Sequence, residues 1–232
     1  MKTKIFCDSA DFQTIKKLSN NTLVSGFTTN PSLMRLSGAK NYKSYSIKLI
    51  RACKNKPISL EVFTDDFNLM IKQAQKINSW GKNIYVKIPV VNSKGIFAGR
   101  VIKKLSDKRI KLNITAVYTF DQVKKIKKNI NKNSKTIISI FAGRMADVGK
   151  DPVQIIKKSV QFTKRDKNIS ILWASTREAY NYLQARNCGC EIITMPPKII
   201  TKIQKFGKTF KRLTLDTVKT FLSDSTKSKF KI

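Results

Sequence analysis

The chain has no histidine among its 232 residues and contains only four cysteines, at positions 7, 53, 188 and 190. The lack of histidine excludes Ser-His and Cys-His catalysis and any zinc centre that depends on histidine ligands. Acid–base chemistry therefore requires Asp, Glu, Lys, Tyr, Cys or bound water. The cysteines are too few and too dispersed for a disulfide framework. Cys188 and Cys190 lack the second pair of ligands that would complete a metal site, so we expect no metal ion.

Long hydrophobic runs are also lacking, since no apolar stretch approaches the roughly 20 residues that a membrane-spanning helix requires. The first residues reach the acidic Asp8 too early for a signal peptide. The hydrophobic content of 41% suffices for a folded core, and a chain of this length can form one domain. We therefore expect a soluble, cytoplasmic protein without a membrane partner.

Acidic residues are scarce: 14 Asp and Glu stand against 47 Lys and Arg, which gives a formal net charge of +33. Such a charge can indicate a nucleic-acid partner. The lysines are distributed along the whole chain, however, whereas a nucleic-acid footprint would concentrate basic residues on one element. We therefore expect no specific nucleic-acid partner.

Short β-rich runs alternate with amphipathic stretches from one end of the chain to the other. The runs predicted as strands are Lys4–Asp8, Leu23–Phe27, Ile58–Phe63, Ile84–Lys87, Lys111–Thr115, Thr136–Phe141, Ile169–Trp173 and Glu191–Ile193. Eight strands that alternate with helices predict an α/β fold in which a parallel sheet closes into a single (β/α)₈ TIM barrel. A doubly wound open sheet is the alternative, but no glycine-rich dinucleotide-binding turn follows the first strand.

Several segments between the strands have helical spacing. Residues Phe67–Ile77 and Pro152–Phe162 carry apolar side chains at steps of three and four, and Asp151 is predicted to be the N-cap of the second helix. Around Leu215–Leu222 the chain is amphipathic again. We treat residues 1–232 as one barrel domain, with a C-terminal helical extension at about 206–232 that packs on its own barrel or on a neighbouring subunit.

Polar residues occur at the ends of the predicted strands, where a barrel of this kind carries its active site. They are Asp8, Thr28, Thr29, Asn30, Glu61, Lys87, Asn113, Thr115, Ser139, Arg144, Ser175 and Arg177. Lys87 ends an apolar run, and partial desolvation of its amine would favour the neutral form that attacks a carbonyl carbon. We expect these side chains to meet at one mouth of the barrel.

Most of these residues also have a purely structural interpretation. Asp8 and Asn30 could cap the helices that follow them. Glu61 is harder to explain in this way, because a carboxylate inside an apolar run is costly without a partner. Arg144 and Arg177 could form surface ion pairs, but they follow the sixth and seventh strands, where a barrel commonly binds a substrate phosphate.

Seven segments carry a family resemblance, in the same order as in that family, from Asp8 to about Pro197. They are Asp8, Gly26–Ser32, Glu61-Val62, Val86–Pro89, Asn113–Thr115, Ser139–Arg144 and Ala174–Arg177. In these segments the chain resembles the transaldolases, in the branch with short subunits that also includes fructose-6-phosphate aldolase. The resemblance implies an α/β barrel and class I aldolase chemistry, which needs no metal and no cofactor.

The resemblance also implies a role for each matching residue. Lys87 would form a Schiff base with the C2 carbonyl of a ketose phosphate, and Asp8 would act as general acid and base at the C4 hydroxyl. Glu61 and Thr115 would hold the water that takes part in dehydration. Asn30, Asn113 and Ser139 would bind the dihydroxyacetone unit, and Arg144, Ser175 and Arg177 would bind the phosphate. Thr29 and Phe141 would also belong to the substrate-binding residues.

The choice between transferase and aldolase depends on a few positions. The aldolase branch typically has Gln where Glu61 stands and Tyr where Phe141 stands, so both positions have the transaldolase form. The stretch Ala116–Tyr118 is more similar to the aldolase branch, and Thr176 replaces an aromatic residue that is usual in the family.

We therefore expect a transaldolase of the pentose phosphate pathway that transfers a dihydroxyacetone unit from sedoheptulose 7-phosphate or fructose 6-phosphate to an aldose phosphate. Free aldol cleavage is the alternative, and a non-catalytic basic barrel that binds nucleic acid is a remote one. The resemblance also implies a homo-oligomer, a pentamer or a decamer, with the terminal helix packed on a neighbour.

Overall fold

The computed structural model of the protein describes residues 3–229. Eight parallel strands pair in chain order and close into a barrel, so the predicted (β/α)₈ barrel is confirmed. The strands are β1 (Lys4–Asp8), β2 (Val24–Thr28), β3 (Ile58–Glu61), β4 (Ile84–Pro89), β5 (Leu112–Val117), β6 (Thr136–Ile140), β7 (Ile169–Trp173) and β8 (Ile192–Met195). The barrel closes where β1 pairs with β8, with Cys7 opposite Met195.

Helices connect the strands and surround the barrel. They are α1 (Phe12–Ser19), α2 (Pro31–Leu36), α3 (Tyr42–Ala52), α4 (Phe67–Asn78), α5 (Gly99–Asp107), α6 (Phe120–Lys128), α7 (Ala142–Ala146), α8 (Val153–Thr163), α9 (Asn181–Asn187), α10 (Pro197–Ile203) and α11 (Phe210–Ser228). Within residues 3–229, none of these helices combines the length and the apolar character needed to cross a membrane.

Several strand ends differ from the prediction. β3 stops at Glu61 because the chain turns out of the sheet there, where the Phe63 amide bonds to the Gln73 side chain and the Phe63 ring is exposed. β4 continues past its predicted end because its pairing extends to Pro89 opposite Thr115. β5 continues past its predicted end because Val117 pairs with Ile140 on β6. β2, β6 and β8 are shifted or shortened as well, and the predicted bounds Leu23–Phe27, Thr136–Phe141 and Glu191–Ile193 were wrong by one or two residues.

The predicted helices are present with small changes. Helix α8 begins one residue later than predicted, so its N-cap is Pro152 and the predicted cap at Asp151 was wrong. The Asp151 carboxylate still accepts the Val153 amide, at 2.9 Å. The C-terminal helix is longer than Leu215–Leu222 and starts after Thr209, whose hydroxyl accepts the Arg212 amide. Of the predicted domain 1–232 and extension 206–232, residues 1–2 and 230–232 lie outside the described part of the chain.

The interior of the barrel is filled below the site by a small apolar layer. It consists of Phe6, Ile137, Leu172, Ala174 and Ile192, with Tyr85 and Phe141 packed against it. The Phe6 ring fits only because position 26 is glycine, since a Cβ there would lie 2.7 Å from ring carbons. A larger cluster between the strands and the helices forms the rest of the core. Polar side chains are thereby left to the carboxyl ends of the strands.

Candidate active site

Lys87 points into the barrel from β4 and is 7% exposed. Its Nζ lies 2.9 Å from Oε2 of Glu61 and donates to the Thr29 carbonyl at 2.8 Å. The ion pair follows from the sheet register, because Glu61 on β3 is directly opposite Lys87 on β4. A buried amine held by a carboxylate and a carbonyl is oriented but has to release a proton before it can attack a carbonyl carbon.

The carboxyl ends of the strands surround a cavity of about 220 Å³ that contains Lys87. Its walls are formed by Asp8, Thr28, Asn30, Lys87, Asn113, Thr115, Ser139, Phe141, Arg144, Ala174, Ser175, Thr176, Arg177, Thr194 and Pro196. The resemblance gives a role to twelve residues, and ten of them are among these wall residues. The other two are Glu61, which reaches the site through Lys87, and Thr29.

Asp8 ends β1 and is partly buried at the wall of the cavity. The Thr28 hydroxyl donates to its Oδ1 at 2.6 Å and lies 2.5 Å from the Thr194 hydroxyl. Burial raises the pKa of Asp8, and this effect exceeds the opposing ones of the Thr28 hydrogen bond and the Lys87 charge. Asp8 is not a helix cap, since α1 is capped by Asp11. A carboxyl group with this environment can both accept and return a proton.

Thr29 does not present its hydroxyl to the cavity. The side chain is fully buried and donates to the Ser59 carbonyl at 2.8 Å, while the Thr29 carbonyl accepts from Lys87. Its neighbour Thr28 lines the cavity instead, together with Thr194. Sequence reasoning did not assign a function to either residue, although Thr28 lies in the same polar motif. Thr194 was missed because the predicted last strand stopped at Ile193.

Three further polar side chains form a chain across the floor of the cavity. Ser139 donates to Oδ1 of Asn113 at 2.7 Å, and the Asn113 amide donates to the Ser59 hydroxyl at 3.0 Å. The buried hydroxyl of Thr115 has no hydrogen-bond partner within residues 3–229. Asn30 uses its Oδ1 to cap α2, accepting the Leu33 amide at 2.8 Å, and still lines the cavity. Asn30 can therefore be both a helix cap and part of the cavity wall.

Two arginines lie at the far end of the cavity. Nε of Arg177 is 2.9 and 3.1 Å from the two carboxylate oxygens of Asp147, which sequence reasoning did not single out. The Arg177 hydrogen bond lowers the pKa of Asp147. The Arg144 guanidinium lies 5.4 Å from the centre of the Phe141 ring and forms no ion pair within residues 3–229. At this end of the cavity, Arg144 is therefore unpaired within residues 3–229, whereas Arg177 is paired with Asp147.

The backbone around Ser175 is held in an unusual conformation. Ser175 has φ +64°, a left-handed value that non-glycine residues rarely adopt. Its carbonyl oxygen lies so close to Gly143 that a Cβ there would be only 1.6 Å away. Gly143 thus allows the start of α7 and the loop after β7 to meet beside the two arginines.

The cysteines lie apart from this cavity. Burial raises the pKa of both the Cys188 and the Cys190 thiol. In the described part of the chain, no three cysteine, aspartate or glutamate side chains lie close enough together to hold a metal ion.

Comparison with known proteins agrees with this geometry. The family model for transaldolase/fructose-6-phosphate aldolase matches residues 5–232. A probable transaldolase of Thermoplasma volcanium is 34% identical over 214 residues, which are 91% of this chain and 92% of that protein. A probable transaldolase of Nitrosopumilus maritimus is 31% identical over 202 residues, or 86% of each chain.

Solved structures support the fold alone, because their sequences are distant. A structure described as native KDPGal has a TM-score of 0.59 at 11% identity and covers 91% of this chain, with 89% of its own length matched. An HpcH/HpaI aldolase/citrate lyase family protein from Burkholderia cenocepacia has a TM-score of 0.58 at 10% identity, with 94% and 95% covered. On the sequence match over almost its full length, the chain belongs to the transaldolase/fructose-6-phosphate aldolase family.

Proposed function

We propose that the protein is a transaldolase that transfers a dihydroxyacetone unit from a ketose phosphate to an aldose phosphate through a Schiff base on Lys87. The observation that carries the proposal is the position of Lys87, which lines a cavity that Asp8 also lines and has the Glu61 carboxylate 2.9 Å from its Nζ. Sedoheptulose 7-phosphate or fructose 6-phosphate would be the donor in the pentose phosphate pathway.

The first stage is formation of the Schiff base. The Lys87 ammonium gives a proton to Glu61, and the neutral amine attacks the C2 carbonyl carbon to form a carbinolamine. A proton then passes to the carbinolamine hydroxyl, water leaves and a protonated imine remains. The Thr115 hydroxyl, which is buried without a partner in the described chain, would hold the water that relays this proton together with Glu61.

The second stage is cleavage and transfer. Asp8 removes the proton from the C4 hydroxyl, the C3–C4 bond breaks, and its electron pair moves to the imine to give an enamine on Lys87. The aldose phosphate then leaves. The enamine carbon attacks the aldehyde carbon of the acceptor, and Asp8 returns the proton to the aldehyde oxygen, which becomes the new hydroxyl. Water then adds to the imine and releases the new ketose. The raised pKa of Asp8 suits both proton transfers.

Substrate binding would divide the cavity into two ends. Asn30, Asn113 and Ser139 would bind the hydroxyl groups of the dihydroxyacetone unit. Arg144 is available for the phosphate because no carboxylate pairs with it in residues 3–229, and Arg177 and Ser175 lie beside it. Guanidinium groups grip phosphate through paired hydrogen bonds, which also fixes the orientation of the sugar.

Borohydride trapping tests the mechanism directly. Reduction in the presence of fructose 6-phosphate should add the mass of the reduced sugar fragment to the peptide that contains Lys87, and Lys87→Met should abolish both trapping and turnover. Lys56 provides an internal control, because burial lowers its pKa but its amine is bonded to the Asn21 and Val24 carbonyls, outside the cavity. An adduct on another lysine, or none on Lys87, would reject the proposal.

Free aldol cleavage is a second candidate, because the segment that is similar to the aldolase branch contacts Phe141 in the cavity wall. Tyr118, in the segment that is similar to the aldolase branch, packs edge-on against Phe141 with ring centres 5.8 Å apart. Exchanging Glu61→Gln and Phe141→Tyr together should shift the ratio of transfer to cleavage toward cleavage. The ratio can be measured with erythrose 4-phosphate present or absent, and an unchanged ratio would remove these two positions as determinants.

We also propose that the protein forms a homo-oligomer, a pentamer or a decamer, through α11. None of the residues of α11 is buried within a single chain, and Phe210, Phe221 and Leu222 are 87%, 67% and 69% exposed. A helix with so much exposed apolar surface gains stability by packing on another copy.

A further inference from the structure

The end of the barrel opposite the active site carries most of the basic loops. The loops that lead into β3 to β7 are residues 53–57, 79–83, 108–111, 129–135 and 164–168. Together they contain eleven lysine and arginine residues and one acidic residue, Asp166. The loops that follow the same five strands at the other end, residues 62–66, 90–98, 118–119, 141 and 174–180, contain two basic and three acidic residues. Among these loops, the positive charge therefore lies at the end opposite the active site.

Two depressions lie side by side at this basic end. They have volumes of about 490 and 730 Å³ and share Pro57, Tyr85 and Lys135 in their walls. Lys82 and Lys111 line the smaller one, and the larger one is lined by Lys4, Lys164 and Lys167. Because the walls are shared, the two depressions form one elongated basic groove with an aromatic side chain at its centre.

Three lysines of the groove face solvent without an ion-pair partner in the described part of the chain. Lys135, Lys164 and Lys167 are exposed and form no ion pair within residues 3–229, whereas the Asp166 carboxylate is paired with Lys127 at 2.7 Å. The other carboxylate, that of Glu191, accepts the Ile171 amide at 2.8 Å. Seven lysines line the two depressions against these two carboxylates, so the groove keeps a net positive charge.

One buried polar side chain of the groove wall has no partner within residues 3–229. The hydroxyl of Thr136, which is 1% exposed, lines the larger depression and has no hydrogen-bond partner in the described chain. Its oxygen is itself enclosed by protein, so it is an unsatisfied group behind the groove wall and not a contact for a bound anion.

We propose that this groove binds single-stranded RNA through its phosphate backbone. Sites for single strands combine a basic groove that follows the backbone with aromatic side chains, and lysines separated by whole βα units are brought together here by the barrel topology. The sequence concealed this clustering, because each loop contributes only one to three of the charges. A membrane surface fits less well, since the five loops contain none of the large apolar side chains that are exposed elsewhere.

The test compares two triple variants that lose the same charge. Lys135→Gln/Lys164→Gln/Lys167→Gln removes cations from the groove, and Lys40→Gln/Lys43→Gln/Lys94→Gln removes three exposed lysines at the active-site end. Binding of a fluorescein-labelled oligouridylate of about 20 nucleotides is measured by anisotropy between about 0.05 and 0.2 M salt. Thermal melts establish that each variant is folded. The inference is independent of the catalytic proposal.

The groove variant should bind roughly tenfold more weakly at about 0.1 M salt, and the slope of log affinity against log salt should decrease by about 2. The control should bind within about twofold of the unmodified protein. Equal losses in both variants would mean that the net charge alone attracts RNA, and would overturn the proposal. It would also be overturned if phosphatidylserine vesicles bound the groove and RNA did not.

Discussion

Asp8 is a residue whose surroundings oppose its own charge. Burial raises its pKa even though Thr28 donates to it and Lys87 is near. The folded protein therefore holds the Asp8 proton more tightly than the unfolded chain does. It follows that ionised Asp8 weakens folding at pH values above the raised pKa, whereas below its ordinary value of 3.8 this cost is absent.

Asp8→Asn should consequently stabilise the fold and destroy the activity. We expect a rise in Tm of a few degrees at neutral pH that disappears as the pH falls through the raised pKa, and a loss of kcat of about 10²–10⁴-fold. Asp11→Asn is the matched control, because the Thr14 hydrogen bond lowers the pKa of Asp11 and its charge favours α1. Its Tm should fall slightly. A lower Tm for Asp8→Asn would contradict the argument.

Gly143 offers a second prediction for a single residue. In Gly143→Ala, an undisplaced Cβ would lie 1.6 Å from the Ser175 carbonyl oxygen, so the carbonyl has to move. The loop beside Arg144 would then move, and KM for phosphorylated donors should rise about tenfold, or about 1.4 kcal/mol. KM for unphosphorylated dihydroxyacetone should change much less. Equal changes for both donors would show that the loop does not serve the phosphate.

The difference between Thr28 and Thr29 illustrates what could be predicted at this scale. The polar motif identified the correct strand end, but side chains alternate along a strand and only one of two adjacent threonines can face the barrel interior. Thr29 was assigned to the substrate through the resemblance, which does not establish which side chains face inward. In the structure Thr28 lines the cavity, whereas the Thr29 hydroxyl donates to the Ser59 carbonyl.

Among the elements, α7 and the loop after β7 are joined by the ion pair of Asp147 and Arg177. The carboxylate occupies the Nε and Nη2 edge of the guanidinium, which is one of the edges that can bind a phosphate in pairs of hydrogen bonds, and its charge repels a phosphate. Asp147→Asn should therefore lower KM for sugar phosphates a few-fold without changing kcat. Asp151→Asn, which keeps its bond to the Val153 amide, is the control and should leave KM unchanged. An increase in KM would mean that Asp147 orients Arg177 rather than competes.

The order and type of the elements were predictable, whereas several of their contacts were not. Polar residues such as Asp8 and Lys87 marked the strand ends closely, because apolar β-rich runs stop where the chain leaves the core. The partner of Arg177 could not be predicted, because Asp147 lies in a short helical segment 30 residues away. Only the completed barrel brings such residues together.

For the whole molecule, the exposed face of α11 leads to a prediction about assembly. Phe221→Glu places a charge on the apolar face and should reduce the mass measured by light scattering to that of a single chain. Ser223→Glu, on the polar face of the same helix, should not change it. Because none of the residues of α11 is buried, the circular dichroism of the barrel should persist. An unchanged mass for Phe221→Glu would exclude α11 as the interface.

The unequal distribution of charge between the two ends of the barrel gives the molecule a large electric dipole moment along its axis. On a sulfonated support the protein would adsorb with its lysine-rich end downward. The opening that contains Lys87 would then face the liquid, so substrate could still diffuse into an immobilised catalyst without any engineered tether.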